Sequence, residues 1–403
     1  MRQDMHPVYL DHAAMGLPSA ATLAAGSKFM DCLASPDLTG TDRSLILFEA
    51  VDRARNQAAS LVNVDPENVL LVDNTSHGLG LVTSSLPLSE GDNVLVGDLE
   101  FLSATVSWRS VSRRLGVEIR SVKTAGGQIL PEDFARAADS RTRVIVVSSV
   151  QEVTGFRCDL RAFGHLAQKL NAVLVVDGIQ EAGALHVDLE ETPVDVYCAG
   201  GSKWLRSPFG LGFLYVSPDL LSRLSPPTFG YLALKEPDLG WQAYLQSPER
   251  TAFDPLQELQ NASKLSTGGM PNGIGAVALE QAIREVREIG TPVTSRRISH
   301  LRTSLITQLT DCGTDICSAR DLPGQSSGIV CFGSKMGFNE GKKLWTALLK
   351  AKIQVSFRYT TGIGGIRVSL HHDNTDRDIQ ELMRVLHHEW LRSDAGCSRQ
   401  AKC

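Results

Sequence analysis

Through the first half of the chain, short apolar runs alternate with stretches whose apolar residues recur at helical spacing. Val69–Val72, Asn93–Val96, Val117–Val122, Val144–Ser148, Val173–Val176, Val194–Cys198 and Gly212–Val216 are rich in β-branched residues and bounded by Gly, Asp or Pro. They predict seven buried strands. Between them, Ser76–Leu86, Ala104–Leu115, Glu132–Ala138 and Leu160–Leu170 predict amphipathic helices. Such alternation specifies an α/β fold: a large, mostly parallel seven-stranded sheet covered by helices. The last two runs follow each other without a helix, which allows one of them to run antiparallel.

A Pro-rich, irregular stretch over Ser217–Pro255 breaks the pattern. Helices near Gly273–Ile289 and Pro292–Thr310 follow it. A strand (Gly328–Phe332), a helix (Glu340–Lys350), two strands (Gln354–Phe357, Gly365–Leu370) and a helix (Asp376–Leu391) complete a smaller α+β domain. The expected division is an N-terminal arm (1–20), a large domain (21–255), a small C-terminal domain (256–395) and a polar, frayed tail (396–403). A net charge of −5 without a basic stripe argues against a nucleic-acid partner. The chain has no apolar run of about 18 residues to span a membrane, and Met1–Leu10 lacks the apolar stretch of a secretory signal. The eight cysteines are scattered without a Cys-x-x-Cys pair, so they read as reduced cytoplasmic thiols rather than a metal site.

Ligands of open α/β sheets bind at the carboxyl ends of strands, and three strand ends carry chemistry. Asp73–Gly80 (DNTSHGLG) joins a strand to a helix. There Thr75 and Ser76, with the free N–H groups of the helix start, form either an anion site suited to a phosphate or an ordinary cap. Val173–Gly183 (VLVVDGIQEAG) puts Asp177 directly after an apolar strand, with Gln180 three residues on. A carboxylate there is costly unless it meets a cation or a protonated ring nitrogen; the plainer alternative is a loop cap. In CAGGSKWL (Cys198–Leu205), Lys203 sits among Gly, Ser202 and Trp204. Such a pocket lowers a lysine pKa, as a Schiff-base amine requires; a surface lysine is the other reading. A phosphate site, an acid for a pyridinium and a lysine for an imine are together the demands of pyridoxal 5′-phosphate.

With these motifs the chain resembles the class V aminotransferase family of fold-type I pyridoxal-phosphate enzymes, which includes cysteine desulfurases, isopenicillin-N-epimerase-like proteins and C–S lyases. Tyr9–Gly16 (YLDHAAMG) matches the family's opening motif, where the arm lines the active site, and makes His12 a substrate-side candidate. The segment with Glu100, Phe101 and Trp108 matches the one whose aromatic residue stacks on the cofactor, and Gly365–Leu382 matches the C-terminal signature. The resemblance implies a fold-type I transferase, pyridoxal 5′-phosphate as cofactor, an amino-acid substrate and a homodimer with active sites at the interface. It implies that Lys203 holds the cofactor and moves the Cα proton. Asp177 keeps the ring nitrogen protonated, and Gln180 contacts the phenolate oxygen. Thr75, Ser76 and Ser202 bind the phosphate and Phe101 stacks. Arg367 grips the substrate carboxylate by a bidentate contact, with Arg358 as a second candidate.

Three departures bear on the reaction. Desulfurases carry a nucleophilic cysteine just before the carboxylate arginine, but Arg358–Arg367 (RYTTGIGGIR) has none, and Cys331 lies in an apolar strand. A persulfide-forming desulfurase is therefore not expected. Glu152 stands where the family often has Asn or a small residue, so it either acts on the cofactor or substrate amine or turns outward. Met270 stands where the family usually has a threonine that donates to the neighbouring subunit's phosphate, so either Thr267 substitutes for it or the contact is lost. The expected activity is β-elimination from a cysteine S-conjugate in a specialised pathway, with amino transfer, epimerisation and decarboxylation-linked deamination as alternatives. A non-catalytic relative is disfavoured because Lys203, Asp177 and Gln180 are all present.

Overall fold

The apolar runs assemble as one sheet in a computed structural model that describes residues 7–318 and 324–391. The tail 396–403 and the first six residues of the arm lie outside the described residues. The strands are β2 (Val69–Val72), β3 (Asn93–Gly97), β4 (Glu118–Val122), β5 (Thr142–Ser148), β6 (Val173–Asp177), β7 (Val196–Gly200) and β8 (Gly212–Val216), in the order β2-β8-β7-β6-β5-β3-β4. Every pairing is parallel except the two made by β8. The sheet is buried on both faces. Leu174, Val176, Tyr197 and Ala199 point into one core, while Val173, Val175, Val196 and Cys198 point into the other. That two-sided burial explains why the strands read as continuous apolar runs rather than alternating ones.

Helices α3 (Thr75–Ser85) and α4 (Leu102–Leu115) cover the second face through Leu79, Val82, Trp108 and Val111. On the first face lie α5 (Pro131–Ala137) and α6 (Leu160–Leu170), with Phe134, Phe163 and Ala167. Two further helices, α1 (Ala20–Leu33) and α2 (Gly40–Leu61), are not evident from the hydrophobic pattern. The buried residues of α2 include Ala50, Ala54 and Ala58, a stripe of small side chains that barely raises local hydropathy. The stretch expected to be irregular holds α7 (Pro218–Arg223) and α8 (Gly240–Gln246). Helix α9 (Gly273–Ile289), expected in the smaller unit, places Ala276, Leu279, Ile283 and Val286 in the core of the large sheet.

Beyond α9, α10 (Thr291–Asp311), α11 (Phe338–Lys350) and α12 (Asp376–Leu386) pack on an antiparallel sheet. Its strands are β9 (Ile329–Phe332), β11 (Ser356–Thr360) and β12 (Ile363–Ser369), ordered β11-β12-β9. The arm belongs physically to this unit: β1 (Val8–Tyr9) pairs in parallel with β10 (Ile353–Gln354). Val8 and Leu10 share a core with Leu301, Val330, Val368 and Ile379. Among the described residues, no helix is long and apolar enough to cross a membrane.

Docking the arm buries His12 to 2% exposure, with its ring centroid 5.0 Å from that of Tyr9 and 4.9 Å from that of His371. Among the described residues its Nδ1 has no hydrogen-bond partner. Burial, reinforced by His371, lowers its pKa from 6.5 to about 3. Above pH 6.5 the ring is neutral in both the folded and unfolded chain. As pH falls from there towards 3, the unfolded chain binds the proton first, and the fold loses stability. Relative to His12→Phe, the wild type should lose about 1.4 kcal/mol per pH unit over this range. Melting temperatures of both proteins from pH 7.5 to 4.5 measure the difference; a constant gap would refute it.

Candidate active site

The carboxyl ends of β5, β6 and β7 bring the predicted acid and amine together. Asp177, the last residue of β6, is 2% exposed. Its Oδ1 accepts the Ile179 N–H at 3.0 Å and its Oδ2 accepts the Ser103 hydroxyl at 3.3 Å. Burial raises its pKa, opposed by the Ile179 N–H, the Lys203 charge and Ser103. Lys203 is half-buried on the loop after β7. Burial pulls its pKa down, Asp177 and Glu152 draw it back up, and the Arg367 and Arg358 charges add to the lowering. Its Nζ lies 5.8 Å from the Phe101 ring centroid. Phe101, the residue before α4, is 49% exposed. The arm closes on this loop at Gly16, whose N–H donates to Ser202 O at 2.8 Å. A Cβ at Gly16 would fall 1.9 Å from Lys203 O, so only glycine permits the approach.

The anion-site candidates gather at the start of α3. Asn74 caps the helix by accepting the His77 N–H at 2.9 Å. The Thr75 and Ser76 N–H groups precede the Gly78 N–H to Asn74 O bond (3.1 Å), so neither has a carbonyl four residues back within the helix. Thr75 is buried, and its Oγ1 accepts the Gly200 N–H at 3.0 Å, tying the helix to β7. Ser76 is exposed and Ser202 half-buried. Gln180 is engaged at both ends of its amide. Nε2 donates to Ala13 O at 3.0 Å, and Oε1 accepts the Trp204 Nε1–H at 2.8 Å. It thereby joins the arm to the lysine loop, with one N–H left for another acceptor. His12 is not open to a substrate: its ring packs against Tyr9, Trp204 and His371.

Glu152 turns inward, onto Arg367. The Arg367 Nη1 donates to Glu152 O at 2.9 Å and to Glu152 Oε2 at 2.7 Å. Its Nη2 donates to Ser356 Oγ at 3.1 Å and lies 3.5 Å from Asp11 Oδ1. Arg358 is exposed, with a 3.4 Å hydrogen bond to Phe357 O. Met270 is 61% exposed and accepts a hydrogen bond from the Tyr231 hydroxyl.

Sequence reasoning missed Asp11, Ser103, Ser148 and Ser356, and gave Glu100 no role of its own. Glu100 Oε1 accepts the Ser148 N–H at 2.9 Å, and Oε2 accepts the Ser148 hydroxyl. Burial pushes its pKa up to about 7, and Asp177 adds to the rise. Ser148 is the strand-register partner of Asp177, so Glu100 is coupled to the predicted acid through adjacent strands. Its place directly before Phe101 was the available signal.

Comparison with known proteins fits this arrangement. Over 225 residues the chain is 29% identical to a probable cysteine desulfurase of Methanothermobacter thermautotrophicus, covering 55% of this chain and 56% of that one. It is 26% identical over 344 residues to the isopenicillin N epimerase of Streptomyces clavuligerus, covering 83% of each. Its fold matches an apo cysteine desulfurase of Thermococcus onnurineus (TM-score 0.83, 19% identity, 95% and 94% coverage). It also matches the cystine C–S lyase C-DES in complex with cysteine persulfide (TM-score 0.82, 20% identity, 94% and 97% coverage). The family model for class V aminotransferases matches residues 8–382, so the chain belongs to that family, a fold-type I group whose cofactor is pyridoxal 5′-phosphate.

Proposed function

We propose that this enzyme catalyses β-elimination from a cysteine S-conjugate, releasing a thiol, pyruvate and ammonia. The observation that carries the reading is the turn at Thr361–Gly362. There β11 and β12 close as a two-residue hairpin, with φ of +45° and +81°. No room remains for a mobile loop bearing a nucleophilic cysteine ahead of Arg367. Cys331, in register with Arg367 on β9, is fully buried, and its hydrogen bond with Cys317, followed by burial, holds its thiol well above the usual range. The match to a cystine C–S lyase fold is consistent with this reading, although relatives are named cysteine desulfurases.

The residues present fit the cofactor. Asp177 is a buried carboxylate whose hydrogen bonds among the described residues come from a hydroxyl and a backbone N–H, as a partner for a protonated ring nitrogen requires. Lys203 supplies the amine, Phe101 an exposed ring beside it, and the α3 start with Ser202 the donors for the phosphate. When bound, pyridoxal phosphate accepts the electron pair left at the substrate's Cα. The Lys203 amine, its pKa lowered, is the base at hand to take the Cα proton. As the Cβ–S bond breaks, its electron pair leaves with sulfur, and Lys203 can return the proton to the departing thiolate. Water converts the three-carbon remainder to pyruvate and ammonia. The same reading takes the enzyme as a cytoplasmic homodimer, to which the exposed apolar side chains of Leu23, Met30 and Ile274 offer a surface.

Purified enzyme mixed with a panel of cysteine S-conjugates should release thiol and pyruvate in equal amounts. Transfer of the amino group to a keto acid, inversion at Cα, or carbon dioxide without thiol would each replace elimination by the corresponding reaction. Lys203→Ala should lose the native visible absorbance band and slow thiol release by about 10²–10⁴-fold. Asp177→Asn should retain a band yet lose roughly two to four orders of magnitude in rate, since removing one member of a buried charge pair costs about 3–5 kcal/mol. A near-normal rate in Asp177→Asn would remove that residue from its proposed role.

A further inference from the structure

The sheet of the small unit continues past β9. The segment after α10 joins β9 through an antiparallel bridge between Ile316 and Phe332. Hydrogen bonds flank that bridge, from Cys317 N–H to Cys331 O at 2.7 Å and from Gly333 N–H to Asp315 O at 2.9 Å. One step along, the register sets Cys317 directly opposite Cys331. Opposed residues of an antiparallel pair project from the same face. Hydrogen-bonded pairs of this kind hold their Cα atoms about 5.5 Å apart, close to the commonest separation in a disulfide.

Strand alternation fixes which face the thiols share. Val330 and Phe332, on either side of Cys331, point into the small unit's own core with Ile366 and Val368. Cys331 therefore points the other way, as does Ile329, which packs with Val150 and Trp204 of the large domain. Its register partner on β12 is Arg367, and that of Arg367 on β11 is Ser356. Ser356, Arg367, Cys331 and Cys317 thus form one row across the sheet, on the face turned to the site.

The two sulfurs have different surroundings. Cys331 is fully buried, whereas Cys317 is half-buried, with its sulfur 3.3 Å from Gly364 O. The hydrogen bond with Cys331 brings the Cys317 pKa down to about 6; burial opposes this, and Ser334 assists it. An accessible sulfur that ionises beside a buried one has the properties of an attacking thiol and a resolving thiol.

We propose that Cys317 and Cys331 are a redox-active pair that closes reversibly to a disulfide, stapling the segment after α10 to the strand behind Arg367. The oxidant is a small-molecule disulfide such as oxidised glutathione. The Cys317 thiolate attacks one of its sulfurs, and the other half leaves as a thiolate. The Cys331 thiol then gives up its proton and displaces the remaining half from Cys317. Two protein thiols become one disulfide while one small disulfide becomes two thiols, so protons and electrons balance. A reducing dithiol reverses both steps. The inference is independent of which bond the enzyme breaks in its substrate.

The test incubates the reduced, purified enzyme with oxidised glutathione, alkylates the remaining thiols and maps the peptides without reduction. Wild type should yield a linked Cys317–Cys331 pair, two hydrogens lighter than the separate reduced peptides and reversed by dithiothreitol. Cys331→Ala should stop at a glutathione adduct on Cys317. The oxidised wild type should melt on the order of 3 °C higher than the reduced protein, because the bond closes a loop of about 15 residues in the unfolded chain. Full alkylation of both thiols after oxidation, a link that forms only in urea, or a melting temperature that does not rise would each overturn the inference. The wild-type map decides even where Cys331→Ala fails to fold.

Discussion

One buried guanidinium fixes the geometry of this protein. A cation at 1% exposure is untenable without close acceptors, and those of Arg367 come from three separate parts of the chain. Asp11 comes from the arm, Glu152 from the loop after β5, and Ser356 from the neighbouring strand of the small sheet. Satisfying the one charge therefore brings the N-terminal arm and the small sheet to the same edge of the large sheet, the edge that carries Lys203. Around this knot the packing is almost wholly apolar. Two cores flank the large sheet, and a third fills the small unit with residues of the arm included.

The same low-polarity surroundings account for the electrostatics of the strand ends. Asp177 and Glu100 are both pushed up by burial, and Lys203 is pulled down by it. Burial in each case favours the neutral form, and the neighbouring hydrogen bonds and opposite charges oppose it. The supporting hydrogen bonds are local and stiff. Ser148 clamps Glu100, Ser103 and the Ile179 N–H hold Asp177, and Gln180 bridges Ala13 to Trp204 directly after the lysine. The arm is held against the same loop, because Gly16 lets its backbone touch Ser202 and Lys203.

Chain-local physics made much of this legible in advance. Buried parallel strands require continuous apolar runs, so the seven strands, a reversal at one of the last two, and Asp177 and Lys203 beside strand ends could be read directly, while the structure decided that β8 is the reversed strand. Helix α2 escaped because alanines bury a helix without a strong apolar period, and α9 was assigned to the wrong core because periodicity shows that a face is buried but not against what. His12 was read as open to a ligand because its motif fixes that it stands near the site, while docking of the arm decides that its ring is packed away against Tyr9, Trp204 and His371. The partners of Arg367 lie far apart in sequence, 215 residues away for Glu152. No local pattern records such a pairing. The sequence alone determined the fold class and the cofactor chemistry. Only the tertiary structure decided that Arg367 is paired with Glu152 and Asp11 while Arg358 meets no carboxylate among the described residues, because charge pairing depends on distance in space and not on spacing along the chain.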